Sequence, residues 1–141
     1  MENILLDADV IIRFLTNDDE IQSPLAYNVF EKAVHGDFTL VISPLILAEC
    51  VWVLQMKRYG YSKKNIANRF TQLILSPGIK SLEEEITLKT LQDFSQHNVD
   101  FIDAYLSNAS LLDNKYPIVT WSKKDFNRLG CEFYTPESLV L

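Results

Sequence analysis

The 141-residue sequence predicts an α/β fold: one mainly parallel β-sheet with helices on both faces. Two observations carry this. Short apolar runs of strand length alternate with helix-length segments, the order that parallel crossovers require. The helix-length segments also carry their own start and stop signals, with serines or Ser-Pro pairs before them and glycines after. No linker, repeat or low-complexity tract interrupts the pattern, so residues 1–141 read as a single domain.

Taken in order, Asn3–Asp7 (NILLD) is an apolar run ending in acid, a buried strand by its pattern. A first helix is expected over Val10–Leu15. Ser23-Pro24 supplies an N-cap and an N1 proline, and Gly36 a stop, which brackets a helix over Pro24–His35. Phe38–Ile42 reads as the second strand. Ser43-Pro44 repeats the cap signal, and Gly60 ends that helix near Arg58. Ser62 caps the next, with Ile66, Phe70, Leu73 and Ile74 on one face. Ile79–Leu82 is a short strand, and Glu83–Gln96 a helix with acids in its first turn. Asp100 opens a helix to about Leu112. Pro117–Trp121, Lys123–Leu129 and Glu132–Tyr134 then read as strand, helix and strand.

Thirteen Lys and Arg against nineteen Asp and Glu give a net charge of −6. That sum alone argues against a partner as anionic as a nucleic acid. A 48% apolar and 23% charged composition excludes disorder as the main state. Cys50 and Cys131 have no metal-type spacing and are expected as free thiols in a reducing compartment. No run reaches the roughly 18–20 apolar residues of a membrane span. Glu2, Asp7 and Asp9 break any signal-peptide pattern, so a soluble cytoplasmic protein is expected.

The informative residues are acids set within apolar runs. Asp7 ends NILLD, Glu49 is the only charged residue in LILAECVWVL, and Asp103 sits inside FIDAYL. A buried carboxylate needs a base, hydrogen-bond donors or a cation, and no Lys or Arg lies within these runs. Ligands of open α/β sheets bind beyond the carboxyl ends of strands, where Asp7 falls. Three converging carboxylates would repel one another unless a cation intervened. All-oxygen ligands suit Mg²⁺ or Mn²⁺.

Plainer roles compete with these. Asp100 reads first as an N-cap, Asp103 as the far member of a capping box, and Asp9 as a helix opener. His35 and His97 fall at helix ends. Four scattered glycines make no phosphate-binding loop, and no Ser/His or Cys/His constellation occurs. Trp52 and Trp121 read as core or interface residues rather than base-stacking platforms.

LLDADVIIRFL, AECVWVL, VDFIDAYL and IVTWSKKDF, in that order, resemble the motifs of the PIN-domain ribonucleases, particularly VapC-type toxins of toxin–antitoxin pairs. The resemblance spans nearly the whole chain. Residue by residue, it implies that Asp7, Glu49 and Asp103 are catalytic and hold metal, with Asp100 as an additional metal-binding acid. Glu49 would be a ligand or a water-orienting base. The fourth motif departs from the family: Ser122 stands where an Asp or Asn is usual, and Asp100 is the candidate to compensate. Asp125 matches a helix residue beyond the site. Thr120, Ser122 and Lys123 are candidates for contacts to substrate or water. The resemblance implies a Mg²⁺-dependent RNA phosphodiesterase leaving 5′-phosphate and 3′-hydroxyl ends, a homodimer, and a cognate antitoxin partner.

Two other readings compete. Asp7-Ala8-Asp9-Val10 also looks like the first motif of haloacid-dehalogenase phosphatases, with Asp7 as nucleophile, although that chemistry accounts for neither Glu49 nor Asp103. A catalytically degenerate PIN domain that binds RNA or protein is the other.

The distribution of charge changes what −6 means. Between Glu49 and Glu83 there is no acid, while Lys57, Arg58, Lys63, Lys64, Arg69 and Lys80 all lie there. Lys57, Arg58, Lys63 and Lys64 are therefore candidate RNA backbone contacts. A second basic stretch comprises Lys115, Lys123, Lys124 and Arg128.

Overall fold

The computed structural model describes residues 2–114 and 116–140, so Lys115 of the second basic stretch lies outside the described residues. The chain divides into two compact units, Met1–Glu84 and Glu85–Leu141. Every strand pairing in them is parallel, as the alternation of short runs and helices requires. Among the described residues the five strands fall into two hydrogen-bonded sets, of three and two, rather than one five-stranded sheet.

The first unit runs β1 (Asn3–Leu5), α1 (Ala8–Thr16), α2 (Gln22–Val34), β2 (Thr39–Ile42), α3 (Pro44–Gln55), α4 (Lys63–Ile74) and β3 (Ile79–Ser81). Its sheet order is β1-β2-β3, with Leu5 opposite Val41 and Leu40 opposite Ile79. Leu40, Val41 and Ile42 of the central strand are buried, as are Ile11, Leu47, Leu54, Ile66, Phe70 and Ile74 from the helices. These side chains supply the apolar burial that drives folding of the unit.

Local signals explain most boundaries. Ser43 caps α3 by accepting from Ile46 N, with Pro44 at its first position, and Ser62 caps α4 by accepting from Asn65 N. Two expectations need correction. The second helix starts at Gln22, not Pro24, because Asp19 Oδ1 accepts from both Ile21 N and Gln22 N and so takes the capping role assigned to Ser23. The third helix ends at Gln55, and residues Met56–Gly60 form a turn closed by Gly60 N donating to Met56 O.

The second unit contains α5 (Glu84–Gln96), α6 (Phe101–Asn108), a π-helical segment (Ala109–Asn114), β4 (Ile118–Val119), α7 (Lys123–Leu129), β5 (Phe133–Tyr134) and α8 (Pro136–Val140). The π-helical segment replaces the last turn of α-helix expected to Leu112, and α8 has no counterpart in the sequence reading. Leu91, Phe94, Phe101, Ala104 and Phe126 form its core, with Phe94 and Phe101 in edge contact at 6.0 Å. Buried Asp93 is held by Asn108 Nδ2 at 2.9 Å and Lys89 Nζ at 3.4 Å.

One close approach sets the entry to β3. Gly78 has φ +82°, and a Cβ there would lie 2.3 Å from Ala33 O of α2, while its own carbonyl accepts from Leu40 N. Gly36 has φ +92° but open space around it. Gly36→Ala should therefore cost about 1–2 kcal/mol, the strain of the left-handed backbone alone. Gly78→Ala should cost a further ~1–3 kcal/mol from forced backbone movement. Urea denaturation of both variants checks the order; equal costs would show that the Ala33 contact is soft.

Candidate active site

Each unit contributes its own group of acids. In the first, the parallel register ends β1 at Leu5, so Asp7 lies just past the carboxyl end of that strand. Asp7 is the N-cap of α1, in extended conformation, and its Oδ1 accepts from Ala8 N at 2.7 Å. The plain capping role and a place at the strand end are thus both realised in one side chain. Glu49 stands in the second turn of α3, which itself begins directly after β2.

Contrary to the sequence reading, neither carboxylate is buried: Asp7 and Glu49 are both exposed. The apolar run around Glu49 is a helix whose Leu47, Cys50, Val51 and Leu54 face inward, while Leu45, Glu49 and Trp52 face out. An unbroken string of apolar letters hid that phase. What remains of the argument is crowding of like charge. Cys50, fully buried, points its Sγ at Ala8 O, 3.8 Å away. Its thiol is pushed up to about 12, first by burial and then by the negative charges of Glu49 and Asp7. Both carboxylates therefore act on one point of the α1–α3 contact.

In the second unit, Asp100 is the N-cap of α6 by position, but its exposed side chain makes no capping hydrogen bond. The capping box proposed with Asp103 is accordingly not formed. Asp103, half-buried in the first turn, has its carboxyl held above the usual range, chiefly by burial and further by the charges of Asp100 and Asp125. Asp125 was set aside in the sequence as lying beyond the site; packing of α7 on α6 brings it within electrostatic reach of Asp103. The signal available was its place three residues after Ser122.

Thr120 is half-buried and its Oγ1 accepts from Ser122 N at 2.9 Å, so its hydroxyl shapes the turn before α7. Ser122 is exposed and its side chain makes no cap bond, and Lys123, first in α7, is exposed. Among the described residues no three His, Cys, Asp or Glu side chains are gathered into a ready cage for a metal ion. The acids nevertheless fit a divalent cation chemically. They are hard oxygen donors, and Asp103 carries a penalty from burial and neighbouring negative charge that a cation would relieve.

The basic residues behave unequally. Lys57 and Lys64 are exposed, and Lys63 opens α4. Arg58 is partly committed: its guanidinium lies 5.3 Å from the Tyr59 ring centre and 3.4 Å from Asp18. Asp18 is a hub the sequence reading missed. It accepts from Tyr59 Oη at 2.7 Å, Thr16 Oγ1 at 2.8 Å and Arg13 at 3.0 Å, tying the end of α1 to the turn after α3. Nearby, Arg69 lies over the Tyr61 ring at 5.3 Å.

The PIN domain family model matches residues 4–129, and the chain belongs to that family. A comparison with curated proteins gave no match. PIN domains are generally nucleases acting on RNA, typically with divalent metals, and the family match gives this chain a nuclease-like function. The phosphatase reading, with Asp7 as nucleophile, is not favoured by it.

The hydrogen bonds from Tyr59 and Thr16, with Arg13 beside them, lower the Asp18 carboxyl from 3.8 to about 2. A depressed carboxylate contributes stability above its unfolded value, and that contribution is lost as pH falls through the folded one. Asp18→Asn should therefore lower the urea midpoint at neutral pH, and its deficit against the wild type should close between about pH 4 and pH 2. A deficit that stayed constant with pH would mean that the charge of Asp18 contributes nothing.

Proposed function

We propose that this protein is a Mg²⁺-dependent ribonuclease, with Mn²⁺ as an alternative ion, and that it is the toxin of a toxin–antitoxin pair. The single observation carrying the reading is the PIN-family match across residues 4–129, which spans all four motifs. In this reading the two units form one PIN domain. Asp7, Glu49, Asp103 and Asp100 act in one reaction as the groups that hold the cation. When bound, the cation supplies Lewis acidity, lowering the pKa of water and offsetting charge that develops on the phosphate.

The chain's own residues do the rest. Asp7, with Oδ1 engaged by Ala8 N, has Oδ2 for a ligand, and its orientation is fixed by the cap. Glu49, exposed on α3, orients water and accepts its proton. Ser122 and Lys123 meet the substrate phosphate, whereas Thr120 acts indirectly by holding the turn. Lys57, Arg58, Lys63 and Lys64 contact the RNA backbone through charge. Asp18 fixes the direction of Arg58. The toxin role brings further proposals: a cognate antitoxin, a homodimer and action in the cytoplasm. Ser122 in place of the usual acid favours one second reading, a degenerate PIN domain that binds RNA without cutting it.

Cleavage assays separate the two. Asp7→Asn, Glu49→Gln and Asp103→Asn should each reduce Mg²⁺-dependent RNA cleavage by about a hundredfold or more while leaving the circular dichroism spectrum intact. Normal cutting by any of them removes that residue from the site, and a wild type that binds RNA but never cuts it supports the degenerate reading. Metal binding has an independent readout. Millimolar Mn²⁺ should raise the melting temperature of the wild type by mass action and that of Asp103→Asn less. Identical shifts would place the ion elsewhere.

A further inference from the structure

Trp121 combines features that the ribonuclease reading does not use. Its side chain is 71% exposed, far from the core placement its bulk suggests. Yet it is not loose. The indole Nε1 donates to Glu137 Oε1 of α8 at 2.7 Å. Its backbone is fixed on both sides: Thr120 N donates to Tyr134 O at 2.9 Å, and Trp121 O accepts from Lys123 N at 2.9 Å. The Ser122 N to Thr120 Oγ1 bond closes the same turn. A large aromatic ring is thus held at a set orientation while most of its surface meets water.

Its neighbours define what such a ring suits. Lys123 and Lys124 follow after Ser122 and are exposed, and the first turn of α7 that they open carries Asp125, which acts on Asp103. A flat π-surface beside exposed cations is the arrangement by which proteins hold single-stranded nucleic acid: bases stack on the ring and phosphates meet the charges. The one hydrogen-bonding atom of the indole is already bound to Glu137, which leaves the ring to bind by its face.

We propose that Trp121 is a base-stacking platform for single-stranded RNA, set in position by Glu137, with Lys123 and Lys124 meeting the adjoining phosphates. This deepens the ribonuclease reading and rests on it for the identity of the ligand. Stacking recognises unpaired bases and is tolerant of sequence, so the platform selects single strands over duplex. Glu137 is a positioning residue: it acts on RNA only through the ring.

The test is a binding titration on the Asp7→Asn protein, so that cleavage does not interfere. With Trp52→Phe added, Trp121 is the only tryptophan, and a short single-stranded RNA of mixed sequence should quench its fluorescence, whereas the same sequence as a duplex should not. By anisotropy of the labelled RNA, Trp121→Ala should weaken binding about five- to a hundredfold, and Trp121→Phe much less. Glu137→Ala should weaken it in part, and Glu137→Gln, which keeps an acceptor for the indole, should restore it. In the cleaving protein, Trp121→Ala should raise KM more than it lowers kcat. Unquenched fluorescence, equal quenching by duplex, or unchanged affinity in Trp121→Ala overturns the proposal. So does a dimer that dissociates in Trp121→Ala, which would make the ring a contact between copies. Should the wild type cut no RNA, the ribonuclease reading falls, and the titration still decides the platform.

Discussion

The parallel pairing of β1 with β2 is the constraint on which the placement of the first unit's acids depends. Because both strands point the same way and Leu5 lies opposite Val41, the chain leaves both at one edge of the sheet. Asp7 follows the first strand and α3 follows the second, so the acid at a strand end and the acid one turn into a helix belong to that edge. A register slip of one residue would turn Leu40 and Ile42 away from the face they now fill and carry Asp7 with it. The burial that stabilises the sheet therefore also sets the place of these two acids.

Caps were the most legible feature of the sequence because they are local. Ser43 and Ser62 bind amides three residues on, and the sequence shows both partners together. Ser23 misled for the same reason in reverse: Asp19, four residues earlier, offers a stronger acceptor to the same helix start. The burial of Asp7 and Glu49 was misread. A run such as LILAECVWVL carries apolar side chains on both faces of its helix, so Leu45 and Trp52 are exposed beside Glu49 and the letters alone do not reveal it.

What stayed hidden was tertiary. Asp18 finds Arg58 and Tyr59 some forty residues on, a pairing no spacing rule anticipates. Asp125 joins Asp103 only because α7 packs on α6. Trp121 read as a core or interface residue, and only the structure shows it held at the surface. Motif order carried the family, while the packing around each acid needed coordinates.

Cys50 gives the first unit's acids a second consequence. Oxidants and alkylating agents attack the thiolate, and burial, seconded by the negative charges of Glu49 and Asp7, pushes the thiol here up to about 12. The sulfur behind the two acids is therefore a poor nucleophile at neutral pH. Oxidising conditions would leave this buried thiol intact, and the packing of α1 on α3 with it.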